Sequence, residues 1–339
     1  MKRLSKKQVW FLIGVLAAIV LGYFLIGWPK EYPKRYGVTW SSPYAWSLGL
    51  DPNDGLRQVL DDLGVRHFRI PAYWTDIERE QGKYDWSILQ AQLDEIAKRK
   101  GTVMLALGGR QPRWPECWVP EWAKGLEQSK REEAQLAYVR LTYERYKNHP
   151  TITGWQVENE SRFNFFVSCP GLTKELVLRE LRYVREEEAK RGTSKRSVIT
   201  TDSGELSLWL TYAGETDGLG VSVYRAVTNP WLGIIRYWFI PPWAYARKAA
   251  LVSRLTGPVQ VTEFQMEPWS DHLLQNTKLE DQYLTLSIEQ MRRNFTYAKR
   301  LDTSAVDFWG VEWWLWMKEK QGVPEFWNGA KAFFKDGSL

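Results

Sequence analysis

By its pattern of apolar and polar positions the chain divides into one long apolar stretch and a much longer region of alternating short apolar runs and amphipathic segments. Val9 to Trp28 (VWFLIGVLAAIVLGYFLIGW) holds no charge over twenty residues, and as a helix it would span the ~30 Å hydrocarbon layer of a bilayer. Trp10 and Trp28 stand near its ends, where amphipathic rings favour the interface. Lys2, Arg3, Lys6 and Lys7 precede it, which by the positive-inside tendency keeps the N-terminus cytoplasmic. A cleaved signal peptide is the competing reading, but its apolar region is usually about 7–15 residues and ends in a small-residue cleavage site. The expectation is a basic cytoplasmic tip at 1–8, a transmembrane signal-anchor helix at 9–28, a linker at 29–35 and an extracytoplasmic domain at 36–339. Lys30, Lys34 and Arg35 lie on the far side and weaken the charge asymmetry that sets orientation.

Beyond the linker, strand and helix patterns alternate. Strands are expected at Tyr36–Trp40, Val65–Ile70, Thr102–Leu107, Thr153–Val157, Ser197–Thr201, Leu219–Tyr224, Val259–Thr262 and Ala305–Trp309. Helical spacing of apolar residues falls between them, as in Leu56, Val59, Leu60 and Leu63 with Gly64 as a C-terminal cap. Further helices are expected at 85–99, 131–147, 173–191 and, as one long helix, 279–300. Eight βα repeats fit a single α/β domain, a (β/α)8 TIM barrel. A doubly wound sheet shares the alternation.

Composition narrows the function classes. The 339 residues are 44% apolar, with 20 Trp, 16 Tyr and 13 Phe, enough for a sizeable core. The formal charge of +6 owes most of its excess to the N-terminal tip, so the remainder gives no reason to invoke nucleic acid. Runs such as LRELRYVREEEAKR interleave both signs, as solvated helix faces do. No H-E-x-x-H, C-x-x-C, P-loop or G-x-G-x-x-G stands at a strand–helix turn, so no metal or other cofactor is expected. His67 lies within a strand and His149 precedes Pro150, neither being where a Ser-His base is expected; His272 is the third histidine. Cys117 and Cys169 fall in loops at one end of the expected barrel; a disulfide and two free thiols are both open.

The chemistry concentrates in two glutamates that each close a short apolar, β-prone run: Glu160 in GWQVENES and Glu263 in PVQVTEFQMEPW. Glycoside cleavage needs two carboxyl groups, one to protonate the departing oxygen and one to attack or to activate water. Asn159-Glu160 followed by Thr262-Glu263 resembles the clan A glycoside hydrolases, (β/α)8 barrels of the cellulase, xylanase and β-galactosidase type. The resemblance implies that Glu160 ends strand four as acid/base and Glu263 ends strand seven as nucleophile. Glu158 and Glu267 are the rival carboxylates.

The same resemblance extends to neighbouring strand ends. Arg69, with Trp74, Ile77-Glu78, Gly82 and Tyr84-Asp85-Trp86, resembles the segment after strand two, whose Arg supports the nucleophile. Asn159 is implied to bind the sugar 2-hydroxyl. Tyr224 is implied to hydrogen-bond the nucleophile, while Ser222 occupies a position where the clan often has His. FWGV after strand eight resembles the xylanase-like branch, in which a Trp floors the sugar subsite. Trp313 and Trp314 are carried as candidate platforms, with the choice among Trp309, Trp313, Trp314 and Trp316 left open and some of the four belonging to the core. Trp74, and Trp114 beside Arg113 and Glu116, are further ligand-facing candidates, and Glu312 a possible hydroxyl ligand. The resemblance and the apolar N-terminal stretch together imply a membrane-anchored retaining glycosidase taking oligo- or polysaccharides by double displacement. The alternative is a sugar-binding surface protein without turnover. The apolar run NPWLGIIRYWFIPPWAYARKAALV reads as a loop, lining the cleft, packed on the barrel, or dipping into the membrane.

Overall fold

The computed structural model describes residues 5–162, 169–229, 232–270 and 272–336. Its strands are β1 (Arg35–Thr39), β2 (His67–Pro71), β3 (Thr102–Leu107), β4 (Ile152–Val157), β5 (Ser197–Ser203), β6 (Gly218–Val223), β7 (Ala226–Asn229), β8 (Gly233–Arg236), β9 (Val259–Gln265) and β10 (Ala305–Trp309). Eight of them close into a parallel barrel in the order β1-β10-β9-β6-β5-β4-β3-β2. Closure is explicit in β1, whose Arg35 pairs with Ala305 of β10 and whose Val38 pairs with Phe68 of β2. That excludes the doubly wound sheet. Strands such as TVMLAL in β3 are buried along nearly their whole length, as parallel strands covered on both faces must be.

The intervening helices form where apolar spacing and caps agree. Helix Pro52–Asp61 starts at Asp51, whose side chain accepts from Asp54 N, and buries Leu56, Val59 and Leu60. Helix Lys174–Ala189 starts on Thr173, which accepts from Leu176 N, and buries Leu176, Val177, Leu181 and Val184. The long helix expected at 279–300 is two helices, Leu279–Tyr283 and Ile288–Arg300. Ser287 interrupts it as the N-cap of a capping box with Gln290, which offers the backbone an alternative to continuing the helix.

Two segments depart further from expectation. The apolar run after β6 is not a loop: β7 and β8 pair as an antiparallel hairpin, and helix Pro242–Thr256 follows, opening on Pro241-Pro242. Its Pro230 and Trp231 lie outside the described residues. The N-terminal apolar helix runs Lys6–Leu25 rather than 9–28, with a capping box from Ser5 to Gln8. The pattern Gly27-Trp28-Pro29 stops it, since proline disfavours helix in the residue before it. No residue of this helix is buried against the domain, and its mean hydropathy of 2.2 and its length suit a membrane span. The following linker docks on the barrel, Tyr32 N donating to Lys299 O (3.0 Å) and Lys34 Nζ to Lys299 O (2.7 Å).

Cys117 and Cys169 are disulfide-bonded, their Cα atoms 5.1 Å apart and 52 residues apart in sequence. The bridge joins the loop after β3 to the loop after β4. By the loop-entropy argument such a closure stabilises by roughly 3–4 kcal/mol.

Candidate active site

The site begins inside the barrel, with an arginine that has no contact with solvent. Arg69 of β2 donates from Nε to Gln156 (2.7 Å), from Nη2 to Asn159 Oδ1 (2.7 Å) and from Nη1 to Glu263 Oε1 (2.6 Å). A buried guanidinium requires partners in all these directions, and β4 and β9 supply them. Glu263 is a buried side chain two residues before the end of β9, and its second oxygen accepts from the Tyr224 hydroxyl (3.2 Å). A register shift in the β6–β9 pairing sets Ser222 opposite Glu263, and irregularities of this kind re-aim side chains at strand ends.

Glu160 reaches the site from the other side. It follows β4 in a left-handed backbone conformation (φ 42°), with its N–H donating to Thr201 Oγ1 (2.9 Å). Its Oε1 accepts from the Ser222 hydroxyl (2.6 Å). Burial, then the negative charges of Glu263 and Glu116, hold its carboxyl well above the usual carboxylate range. Glu160 is therefore the carboxyl whose protonated form is favoured, whereas Glu263 is ion-paired to Arg69. Burial, and after it the charge of Glu263, likewise raise the Tyr224 phenol, so Tyr224 remains a hydrogen-bond donor.

Both glutamates line one cavity of about 1080 Å³, together with Tyr224, Ser222, Glu116, Trp114, Trp118, Trp269 and Trp309. Arg69 and Asn159 lie beneath it and are not part of the lining. The rival carboxylates have other partners. Glu158 is fully buried and accepts from Gly109 N (2.7 Å), Arg110 N (2.7 Å) and Gln135 (2.8 Å), a contact that Gly108 permits because a Cβ there would lie 2.1 Å from Glu158 Oε1. Glu267 lines the cavity but is bound by Arg113, which also reaches Glu312 (2.5 Å). Arg113 sits between the Tyr44 ring (4.1 Å) and the Trp309 ring (3.9 Å).

No protein-family model and no curated protein matches the chain. Solved structures do. A GH5_18 protein of Streptomyces cattleya, solved with GlcNAc, superimposes with a TM-score of 0.58 at 15% identity over 91% of this chain and 82% of that one. A GH5_18 protein of Bifidobacterium longum subsp. infantis gives 0.53 at 14% over 81% and 69%. The β-galactosidase of the psychrophilic Marinomonas ef1 gives 0.52 at 14%, and this chain spans only 53% of its length. The chain shares the (β/α)8 barrel fold of these glycoside hydrolases.

The expected aromatic platforms need correction. Trp313 and Trp314 are fully buried in helix Val311–Glu319: the Trp313 indole donates to Gln282 (2.7 Å) and packs on Phe326, and Trp314 donates to Met266 O (2.6 Å). Trp74 is equally buried, donating to Glu78 (2.8 Å) and stacked on Tyr138. None can floor a sugar subsite. Trp309 stands at the cavity instead, as the last residue of β10 before Gly310 (φ 128°) turns the chain into the helix. Strand alternation carries the signal: Phe308 packs outward on Phe295 and Phe333, so Trp309, one residue on, takes the opposite face. Trp114 is 71% exposed at the cavity's mouth, while Trp118 and Trp269 are lining residues that sequence reasoning had not singled out.

Proposed function

We propose that this protein is a retaining glycoside hydrolase in which Glu263 is the nucleophile and Glu160 the acid/base. The observation that carries the reading is the contrast between two carboxyl groups on one cavity: one is ion-paired to a buried arginine, and the other has no such partner among the described residues and accepts from the Ser222 hydroxyl, with burial and like charge favouring its protonated form. In the reaction, Glu263 attacks the anomeric carbon as the bond to the departing oxygen breaks, and Glu160 passes its proton to that oxygen. Glu160, now ionised, takes a proton from water, whose oxygen displaces Glu263 and leaves the configuration retained. Arg69 and Tyr224 orient the attacking carboxylate through one oxygen each, and charge-assisted contacts of this kind are the stronger class of hydrogen bond.

The substrate side of the reading rests on the cavity walls. Trp309 and Trp269 offer flat apolar faces of the sort that sugar C–H faces stack on. Asn159, beneath the cavity floor, receives Arg69 and Thr201 on Oδ1, so its part in this reading is to hold Arg69 in place below Glu263. β-Linked saccharides are the expected class, in keeping with the Streptomyces cattleya GH5_18 variant solved with Manb1-4GlcNAc. The apolar helix Lys6–Leu25 would hold the enzyme to a membrane, and the disulfide suits an oxidising, extracytoplasmic compartment.

The test is a panel of nitrophenyl β-glycosides and β-linked oligosaccharides, assayed with the full chain and with Glu160→Ala. The variant should lose roughly 10²–10⁴-fold on oligosaccharides, the usual worth of a general acid, and much less on nitrophenyl substrates, whose leaving group needs no proton. No turnover by the unaltered chain on any member, with saccharide binding intact, would make it a binding protein instead.

A further inference from the structure

The apolar helix Lys6–Leu25 does not leave the domain at an arbitrary point. The Trp243 indole donates to Leu25 O (3.2 Å), Arg247 Nη1 donates to Ile26 O (2.7 Å), and the Arg247 guanidinium lies 4.9 Å from the Tyr23 ring centre. Gly27 is pressed against the Trp243 ring, where a Cβ would approach to 2.8 Å. Both partners belong to the first turns of helix Pro242–Thr256. That helix leads into β9, so it runs antiparallel to the barrel strands and its first turns stand at the end of the barrel where the cavity opens.

The surface around this junction is apolar and uncovered. Along helix Pro242–Thr256, positions 243, 247, 251 and 255 form one row at i, i+4 spacing. The row begins against the end of the apolar helix and continues as Leu251 and Leu255, both more than half exposed. Beside it, the segment that carries the β7–β8 hairpin exposes Leu232 (74%), Trp238 (75%) and Phe239 (58%). These are the side chains that a folded domain in water would cover first. They lie on two elements adjacent in sequence, and the helix row begins at Trp243 and Arg247, where the candidate membrane helix meets the domain.

We propose that this face rests in the headgroup region of the same bilayer that takes the Lys6–Leu25 helix. The domain would thus be held by a second, interfacial contact rather than swinging on a tether. The proposal rests on reading that helix as a membrane span. Tryptophan and phenylalanine at the hairpin and leucines along a helix are the side chains that partition to the depth of headgroups and upper acyl chains. The hairpin segment also supplies cavity wall, through Val227, Thr228, Asn229 and Tyr237. Contact there would hold the cavity's mouth beside the headgroups, favouring saccharides presented from the bilayer surface over those free in solution.

Both cysteines are tied up in the disulfide, so a single added cysteine can be labelled selectively. The full chain is reconstituted in phosphatidylcholine liposomes carrying an environment-sensitive dye at Leu232→Cys, Trp238→Cys or Leu255→Cys. Leu12→Cys, in the apolar helix, reports insertion, and Leu141→Cys, an exposed position on helix Gln128–Tyr146, reports the far side of the barrel. The proposal expects blue-shifted emission at 232, 238 and 255, and loss of most of it when spin-labelled lipid is included, with position 141 unaffected. A dye at position 12 that escapes quenching sinks the membrane-span reading itself. Quenching at 12 without quenching at 232, 238 and 255 leaves the anchor standing and overturns the interfacial contact. A blue shift at these sites that spin-labelled lipid does not quench also overturns it, since another protein copy would then cover the face.

Discussion

Two of the arginines buried around the cavity, Arg69 and Arg113, differ in how many carboxylates each must serve. Arg69 meets one, Glu263, and spends its other donors on the neutral side chains of Gln156 and Asn159. Arg113 meets two, Glu267 and Glu312, and lies between two aromatic rings. Around Arg113, burial pushes Glu312 up to about 7 against the pull of the guanidinium, and Glu267 is raised for the same reason. Burial opposes the charge of Arg113 as well, yet Glu267 and Glu312 outweigh it and hold the guanidinium above its usual range. One arrangement presents a paired carboxylate with an oxygen still turned to Tyr224 and the cavity. The other is a clamp in which the carboxylates serve the cation. Proximity to the cavity alone therefore does not mark a reactive group; the ratio of cations to carboxylates separates the two.

The largest effect that tests this contrast is on turnover. Glu263→Ala should abolish hydrolysis, by the ~10⁴–10⁶-fold typical of removing a nucleophile, while Glu267→Ala should leave measurable turnover on nitrophenyl glycosides. Adding azide to Glu263→Ala should restore turnover through a glycosyl azide of inverted configuration, read by proton NMR of the product. A Glu263→Ala protein as active as the unaltered chain would reverse the assignment of the two arginine sites.

Next in size is an effect on stability. Arg113→Met strands two buried carboxylates without a cation, and removing one partner of a buried pair costs about 3–5 kcal/mol. Denaturant unfolding of the full chain in detergent should show that loss, and Glu312→Gln in the same background should recover part of it, because the remaining carboxylate count falls. If Arg113→Met unfolds like the unaltered chain but changes which glycoside is cleaved, Arg113 is a ligand-binding group rather than a clamp.

The barrel was legible because a parallel strand covered on both faces must be apolar along its length, and eight such runs alternate with capped amphipathic helices. Glu160 and Glu263 were legible because each ends such a run. The tryptophans were not, since WGVEWWLW offers an indole to every direction of a helix, and only the strand phase of Asp307, Phe308 and Trp309 distinguishes cavity from core. The β7–β8 hairpin was hidden for a different reason. Its run is apolar without alternation, and it faces the cavity on one side and an uncovered surface on the other, so neither helical nor strand periodicity emerges. Ser287 concealed the break between two helices because a serine inside an amphipathic pattern reads equally as a surface position.

The smallest expected effect sharpens the comparison on the acid side, where among the described residues no arginine forms an ion pair with Glu160 and the Ser222 hydroxyl takes that place. A Ser222 hydroxyl that donates to Glu160 favours the ionised carboxylate, against the burial and like charge that favour the proton. Ser222→Ala removes the donor, so the Glu160 pKa should rise further. Because the protonated form is the active one, the alkaline limb of kcat/KM should move to higher pH. Loss of one orienting hydrogen bond, worth about 1 kcal/mol, should lower the plateau only several-fold, and more on oligosaccharides than on nitrophenyl glycosides. A limb that moves to lower pH would mean that the hydroxyl accepts from protonated Glu160 rather than donating to it. The serine would then stabilise the proton that the first step spends, as a positively charged neighbour could not.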